Sequence, residues 1–550
     1  MKRKLRILNH ELFSNRNFYQ KYILYALMFS IFMSTVMNIA FYKYIIVNKI
    51  SIGTAIACFF VLFFNYLAIF FTLSFRYIGK YVIFILTYLA FVSEYYMLSS
   101  NTPIGYATMK SVLETHLSEA LELIDLKLIF FALMLVVIMI PFFYKVKLHC
   151  ISWYKDLLFR LCCALLSLFV GLTIIYTNYI KLSAFTRKND DIMCFININN
   201  FTFETFRVVK NMFQKPKILN ILDEKPIRKK TKKNHFVVLL IGETSRKDSF
   251  SLNGYKRKTN PKLEKQDIIN FSKATSCGTY TAYSVPCMFS FKTRKTYRDF
   301  EFDENVLDIL VKTGVKVSWY ENDDSCAKGQ ADNEKIEYIN LAYNQKYIKN
   351  SLCKNRRCFD EILINILNDE AKKFINQISK NNNKEQKDKV VVLHMIGSHG
   401  PLYYKRYPRK WAKFKPECTN SNPSLCSIQE LKNAYDNTIL YQDFVLSEII
   451  DILRSMSKKQ KQLDITMMYV SDHGESLGEK GLFLHAFPYK IAPKEQIEIP
   501  FIIWTNNNNM KNKFNLKKNN KVSHDNISHT LLGLFNVESK VKDNSLDLTK

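Results

Sequence analysis

The feature that most constrains this chain is the uneven distribution of apolar residues along it. Up to about residue 178 the sequence contains long apolar runs, and the remainder is polar and rich in lysine. A membrane-spanning helix needs roughly 20 predominantly apolar residues, and most of the runs approach that length, the fourth being the shortest. We therefore predict five spans, at 22–41, 54–75, 81–97, 128–143 and 157–176.

Basic residues indicate the orientation of these spans. Lysine and arginine stay on the cytoplasmic side of a membrane, and they flank the N-terminus and the loops after spans two and four. Five crossings that start inside leave the polar part outside. We predict an anchor over 1–178, a connector over 179–234 and an outer domain over 235–550. The anchor includes an amphipathic outer helix at about 104–126, which could line a lipid groove or simply connect two spans.

Cysteine spacing agrees with an outer domain in an oxidising compartment. That domain holds three close pairs with unequal spacings and without neighbouring histidines, which favours disulfides over zinc fingers. Two further cysteines, Cys194 and Cys326, could pair with each other. The close pairs are Cys277 and Cys287, Cys353 and Cys358, and Cys418 and Cys426.

The formal net charge of +29 raises the question of a nucleic-acid partner. In a chain anchored in a membrane, basic residues more naturally meet anionic lipid headgroups. We therefore expect no nucleic acid to bind.

The outer domain alternates apolar strands with helical stretches, a pattern typical of a layered α/β fold. The clearest helix is 430–456, and the asparagine- and lysine-rich stretch 506–520 is interpreted as a surface loop. Candidate strands are 235–241, 315–319, 390–394, 466–470 and 501–505.

Polar residues lie at or just after the carboxyl ends of three of these strands. Asp472 and His473 come after 466–470, and this pair is suited to Zn²⁺. Glu243 follows 235–241, where a carboxylate is either a metal ligand or a helix cap, and His394 ends 390–394. Because the carboxyl ends of strands collect metals and phosphates in open α/β sheets, we predict a metal site there.

A segment crowded with hydroxyl groups, 276–287, contains both Cys277 and Cys287. A bound metal can activate a weak hydroxyl nucleophile, although serine and threonine more often cap helices. On these grounds Thr279, Thr281 and Ser284 remain alternatives.

Taken together, these motifs resemble the lipid A phosphoethanolamine transferases, the family that includes the colistin-resistance enzymes. The matching segments span the outer domain in order, and the five-span anchor matches as well. They are 242–246, 253–255, 277–290, 394–401, 471–478, 481–488, 492–496 and 524–534.

The resemblance implies a five-helix transmembrane domain followed by an alkaline-phosphatase-like α/β/α sandwich outside the membrane. It implies that Glu243, Thr281, Asp472 and His473 hold one tightly bound catalytic zinc, with Thr281 as the nucleophile. His399 and His485 resemble residues that contact the phosphoethanolamine group or a second zinc.

Three further residues are implied to bind substrate: Asn322, Lys328 and His394. The segment 319–329 departs from the family pattern by one extra residue before Lys328 and by a missing second cysteine. We interpret the histidines of the 524–534 segment, His524 and His529, as packing residues. Glu475 is expected to orient a ligand histidine or hold its turn.

The implied activity is a zinc-dependent transfer of phosphoethanolamine from phosphatidylethanolamine, through a phospho-threonine intermediate, to lipid A or the lipopolysaccharide core. It would take place at the periplasmic face of the bacterial inner membrane, in a monomer. The transfer would reduce negative surface charge and polymyxin susceptibility.

Alternatives remain at the level of sequence. They are a related phosphoglycerol transferase or phosphodiesterase, and phosphoethanolamine transfer to another envelope acceptor. A sulfatase is disfavoured because the hydroxyl loop lacks a Cys/Ser-x-Pro-x-Arg motif. A non-enzymatic sensor or transporter would need ionisable residues within its spans, and Glu94 is the main candidate.

Overall fold

A computed structural model gives the protein two compact units. The first comprises Met1–Met109 and Ile124–Arg207, and the second comprises Lys110–Leu123 and Val208–Lys550. The predicted domain boundaries remain predictions. The residues that the structure describes are 20–47, 50–75, 77–100, 102–115, 120–121, 123–145, 153–188, 192–212, 219–298, 301–323, 333–354, 357–380, 386–420 and 423–550.

The N-terminal part of the chain is helical, as expected for a backbone that must satisfy its hydrogen bonds in lipid. Four described helices are long and apolar enough to cross a membrane, whereas the apolar stretch at Leu126–Ile140 is shorter. The fifth crossing therefore remains a prediction. The helices are α1 Gln20–Val47, α2 Ile52–Leu73, α3 Gly79–Ser100, α4 Tyr106–Glu114, α5 Leu126–Lys145, α6 Trp153–Thr177, α7 Tyr179–Lys188 and α8 Asn199–Met212.

A buried polar cluster in the first unit surrounds Asn38, where α1 changes to a 3-10 turn. The Asn38 side chain donates to the Tyr66 hydroxyl (2.9 Å) and accepts the backbone N–H of Asn197 (2.9 Å). Glu94 accepts the backbone N–H of Ala40 (2.6 Å) and the side-chain amide of Asn197 (3.2 Å). These bonds satisfy polar groups that lipid cannot satisfy. We therefore interpret Glu94 as a packing residue rather than part of an ion pathway.

A seven-stranded sheet forms the centre of the second unit, in the order β2-β7-β6-β1-β5-β3-β4. Strands β6, β1, β5, β3 and β4 are mutually parallel, and β7 is antiparallel to β6 and β2. The carboxyl ends of the parallel strands thus lie along one edge. The strands are β1 Asn234–Gly242, β2 Ile269–Asn270, β3 Lys316–Glu321, β4 Ile336–Asn340, β5 Lys389–His394, β6 Leu463–Ser471 and β7 Phe501–Thr505.

Helices cover both faces of this sheet, which is the predicted α/β/α arrangement. Alternate residues of β1 pack into hydrophobic clusters on opposite faces, which explains why residues 236–241 form a continuous apolar run. Two of the helices named below, α11 and α12, contribute to one cluster, and α9, α10, α13 and α14 contribute to the other. The helices are α9 Thr281–Phe289, α10 Val306–Lys312, α11 Glu361–Ser379, α12 Ile428–Lys459, α13 Asn508–Lys517 and α14 Asp525–Leu534.

The five predicted strands and the predicted long helix are present, with small shifts at their ends. The prediction of a surface loop over 506–520 was wrong, because α13 occupies most of this stretch. The Asn507 side chain accepts the backbone N–H groups of Asn509 and Met510, so an asparagine in this stretch caps a helix. The apolar residue that anchors this helix is Phe514, which is fully buried.

Short elements complete the second unit. Disulfides join the three predicted pairs, Cys277–Cys287, Cys353–Cys358 and Cys418–Cys426. Short strands pair Ile227–Arg228 with Val537–Glu538, Cys353–Lys354 with Arg357–Cys358, Ser476–Leu477 with Phe483–Leu484, and Ala274–Thr275 with both Glu498–Ile499 and Val522–Ser523.

Candidate active site

Two neighbouring strand ends place the first acidic residues side by side. Strands β1 and β6 pair in parallel with Gly242 opposite Ser471, so Glu243 and Asp472 leave the sheet together. The backbone N–H of Asp472 donates to the carbonyl of Gly242 (2.8 Å) and extends the ladder by one bond. Both carboxylates are fully buried.

Glu243, Asp472 and His473 form a cluster of potential metal ligands. Each offers one ligand atom, and these atoms lie within 4.8 Å of one another. His473 Nε2 is 3.1 Å from Asp472 Oδ2 and 3.5 Å from Glu243 Oε1. His473 Nδ1 lies 2.8 Å from the carbonyl of Gly474 and donates to it. This bond leaves the Nε2 lone pair directed to the cluster.

The chemistry of this cluster fits a zinc ion. Among the described residues Asp472 Oδ2 finds no hydrogen-bond donor, although it is buried, and an unpaired buried oxygen is costly unless a cation compensates it. Burial raises the pKa of Asp472 to about 6. Burial, with the adjacent Asp472, raises the pKa of Glu243 to about 8. Carboxylate and imidazole donors are ligands that Zn²⁺ prefers.

Of the three alternative hydroxyls in the loop, Thr281 reaches the cluster. It is the first residue of α9, and its hydroxyl donates to Glu243 Oε2 (3.1 Å) and lies 3.3 Å from His473 Nε2. The hydroxyls of Thr279 and Ser284 donate to backbone carbonyls instead. Thr281 is therefore the hydroxyl positioned for chemistry at this site.

His524 holds the Thr281 loop in place. Its Nδ1 accepts the backbone N–H of Cys277 (3.1 Å), and its Nε2 donates to the carbonyl of Ser471 (2.9 Å). The Cys277–Cys287 disulfide closes the same loop. His524 thus ties the loop to the end of β6. The prediction of a packing role was too general, because both ring nitrogens bind the backbone.

The pH dependence of stability should reveal this neutral imidazole. Burial lowers the pKa of His524 to about 4, against about 6.5 in the unfolded chain. The contribution of neutral His524 to the free energy of unfolding is complete above pH 6.5. It is lost as the pH falls towards 4, because the unfolded state then binds more protons than the folded state. Between pH 6.5 and 5 the loss is about 2 kcal/mol.

The measurement is the thermal midpoint of the detergent-solubilised protein at pH 7 and pH 5. We expect His524→Gln to be less stable than wild type at pH 7 and to lose less stability on acidification. An equal pH dependence in the two proteins would contradict the assignment.

A second pair, Glu475 and His485, lies beside this cluster of potential metal ligands. His485 Nδ1 is 2.8 Å from Glu475 Oε2, and the Tyr403 hydroxyl donates to Glu475 Oε1 (2.7 Å). Burial lowers the pKa of His485, but the Glu475 carboxylate outweighs it and the pKa lies above its ordinary value. The His485 ring is 4.5 Å from that of His473 and 6.0 Å from that of His399. Glu475 thus orients His485, and a ligand role for this histidine remains a prediction.

His394 approaches Glu243 from the neighbouring strand β5. Its Nδ1 lies 2.8 Å from Glu321 Oε1, and its Nε2 lies 4.0 Å from Glu243 Oε2. Burial lowers the pKa of His394, but Glu321 and other carboxylates outweigh it and raise the pKa to about 10 when no cation is bound. A cation that binds at Nε2 would therefore displace a proton from this ring.

Asn322 and Lys328 are the other two residues predicted to bind substrate. Asn322 uses its amide nitrogen to donate to Asp360 (2.8 Å) and to the carbonyl of Cys358 (3.1 Å), which gives it a structural role beside the site. Lys328 and Cys326 lie outside the described residues. Their predicted substrate contact and disulfide partner remain predictions.

Sequence reasoning missed several residues around Glu243. Glu321 and Asp323 follow the apolar part of β3, and the strand-end rule that identified Glu243 would have found them. Tyr435 is different: its hydroxyl donates to the carbonyl of Thr244 (2.6 Å) and holds that residue at a positive φ of 58°. Positive φ is unusual for a β-branched residue and must be stabilised by its surroundings. No sequence signal marks Tyr435, because it lies within a long helix.

Comparison with known proteins gives consistent matches over most of the chain. The Sulfatase family matches residues 235–537, and the family described as phosphoethanolamine transferase EptA/EptB matches residues 60–213. EptA of Salmonella typhimurium is 31% identical over 94% of this chain and 94% of its own length. EptA of Escherichia coli K12 is 39% identical over 57% of this chain, and the chain spans 56% of that relative.

Among solved structures, the integral membrane lipooligosaccharide phosphoethanolamine transferase A of Neisseria meningitidis is similar along nearly the whole chain. The two share 31% identity with a TM-score of 0.83, over 95% of this chain and 97% of the other.

Proposed function

The chain belongs to the lipid A phosphoethanolamine transferase family of the alkaline phosphatase and sulfatase superfamily, and we propose that it transfers phosphoethanolamine from phosphatidylethanolamine to lipid A. The observation that carries this proposal is the Thr281 hydroxyl, 3.1 Å from Glu243 Oε2 at a buried cluster of metal ligands. The names of the relatives support the group that is transferred and its acceptor.

We propose that Glu243, Asp472, His473 and Thr281 hold one zinc ion. Zinc, when bound, lowers the pKa of a coordinated hydroxyl and stabilises negative charge on a phosphoryl group. Thr281 Oγ1 attacks the phosphorus of the donor and forms a threonine–phosphoethanolamine ester, while the bond from phosphorus to the glycerol oxygen breaks. The Thr281 proton passes to Glu243 Oε2, the oxygen that accepts its hydrogen bond.

Proton transfer to the leaving group is assigned to His485. Its raised pKa favours the protonated ring, and Glu475 holds its Nδ1, so Nε2 is the atom that donates. Diacylglycerol leaves with this proton. A protonated phosphate oxygen of lipid A then gives its proton to His485 and attacks the phosphorus. The bond from phosphorus to Thr281 Oγ1 breaks, and Thr281 recovers its proton from Glu243. His399, near His485, is assigned to contact with the phosphoethanolamine group.

The proposed location is the periplasmic face of the bacterial inner membrane. Donor and acceptor are both lipids, so an anchor confines the enzyme to the surface where they occur and raises their effective concentration. Five crossings, the outer position of the second unit and a monomeric state belong to this proposal.

The direct test is the intact mass of lipid A from cells with and without the gene. The proposal expects a phosphoethanolamine increment with the wild-type gene and none with Thr281→Ala at equal protein level. Unchanged lipid A, with diacylglycerol still released from phosphatidylethanolamine, would refute lipid A as the acceptor. The increment would then be sought on another envelope molecule.

A further inference from the structure

A second group of potential ligands shares Glu243 with the first. Glu243, Asp323 and His394 each offer one ligand atom, and these atoms lie within 4.8 Å of one another. The three residues come from the carboxyl ends of adjacent parallel strands, because β5 lies between β1 and β3. His394 pairs with Ile241 on one side and Glu321 on the other. Three adjacent strands of the sheet therefore each place one potential ligand at this point.

The orientation of His394 is an independent indication of a metal ligand. Its Nδ1 lies 2.8 Å from Glu321 Oε1. Glu321 is itself fixed by the indole N–H of Trp319 (3.1 Å) and the backbone N–H of Asp323 (3.1 Å). Histidines that bind metals characteristically donate their other ring N–H to a carboxylate in this way. The arrangement directs Nε2 of His394 towards Glu243.

We propose that Glu243, Asp323 and His394 bind a second divalent cation, with Glu243 shared between the two sites. This inference rests on the proposed metal-dependent function, because Glu243 serves both ions. The two Glu243 oxygens already face different neighbours: Oε1 lies 3.5 Å from His473 Nε2, and Oε2 lies 4.0 Å from His394 Nε2. A carboxylate in this position could be shared by two ions. Oε2 would then be occupied, and the Thr281 proton would pass to water instead of to Glu243.

The donor set defines the class of cation. Two carboxylate oxygens and one imidazole suit Zn²⁺ or Mn²⁺ better than a soft ion that prefers thiolates. The role of the second cation follows from its position beside Glu243 and Thr281. Glu243 Oε2 also accepts the Thr281 hydroxyl (3.1 Å), so a second positive charge beside it would help to neutralise the phosphate group that Thr281 attacks.

This assignment differs from the second zinc implied by the sequence resemblance, which involves His399 and His485. Variants separate the two. Asp323→Asn removes one ligand charge of the proposed site, and His485→Asn removes one ring of the alternative. Asp451→Asn, on the exposed surface of α12, is the matched control for loss of a carboxylate.

The experiment counts metal ions per chain in the full-length, detergent-purified protein. Each protein is equilibrated with Zn²⁺ or, separately, Mn²⁺, freed of unbound ion and measured by mass spectrometry of the metals. The expected counts are two for wild type, Asp451→Asn and His485→Asn, and one for Asp323→Asn. Any other set of counts overturns the proposal. Two ions without phosphoethanolamine transfer would instead refute the proposed function and leave the second site standing.

Discussion

Replacing Thr281 with alanine is expected to lower phosphoethanolamine transfer by on the order of 10⁴-fold or more, as loss of a nucleophile does in other covalent mechanisms. The hydroxyl lies between Glu243 and His473, whereas the hydroxyls of Thr279 and Ser284 in the same loop donate to backbone carbonyls. The loss should appear in kcat in an assay with phosphatidylethanolamine and lipid A in mixed micelles. The thermal midpoint should change little, because Thr281 is partly exposed.

Two variants make this result specific. Thr281→Ser keeps the hydroxyl and should retain measurable transfer. Thr296→Ala removes an exposed hydroxyl from the loop that follows α9 and should match wild type. Substantial transfer by Thr281→Ala would eliminate Thr281 as the nucleophile.

Replacing Asp472 with asparagine should remove an ion and the activity together. Asp472 Oδ1 accepts the backbone N–H groups of Thr244 (3.0 Å) and His473 (2.7 Å), and an amide oxygen can keep both bonds. Oδ2, which has no hydrogen-bond donor among the described residues, loses its charge. We expect the affinity of this site for zinc to fall by more than the roughly 10- to 100-fold that loss of an outer-shell partner costs.

The measurement pairs zinc content with transfer activity in the purified full-length protein. Asp472→Asn should bind one ion fewer per chain than wild type and lose transfer, whereas the surface control Asp451→Asn should keep both. A variant with wild-type zinc content and wild-type activity would show that Asp472 is not a ligand.

Much of the fold was predictable because two physical constraints leave strong sequence patterns. Long apolar runs follow from the lipid environment, and residues 236–241 of strand β1 are all apolar because both faces of the strand are buried. Weaker sequence patterns led to a wrong prediction of secondary structure. The stretch that forms α13 resembles a loop, since asparagine and lysine dominate it, and its helix depends on the Asn507 cap and on the burial of Phe514.

The candidate site was predictable where residues follow strands and much less so where they act on the backbone. Glu243 and Asp472 stand directly after apolar strands, so their convergence follows from parallel pairing. The choice of Thr281 came from the family resemblance, because sequence physics left three hydroxyls. The structure shows that the other two hydroxyls, those of Thr279 and Ser284, donate to backbone carbonyls. The pairing of Glu321 with His394 depends on the neighbouring order of β3 and β5, which no local pattern reveals.

The covalent step can be tested by trapping the phosphoethanolamine group on the enzyme. The full-length protein would be incubated with phosphatidylethanolamine without acceptor, quenched in acid, digested and analysed by tandem mass spectrometry. We expect one phosphoethanolamine group on the peptide that contains Thr281, located on that residue and removed when lipid A is added before the quench. Release of diacylglycerol with an unmodified Thr281, or with the group on another residue, would contradict it.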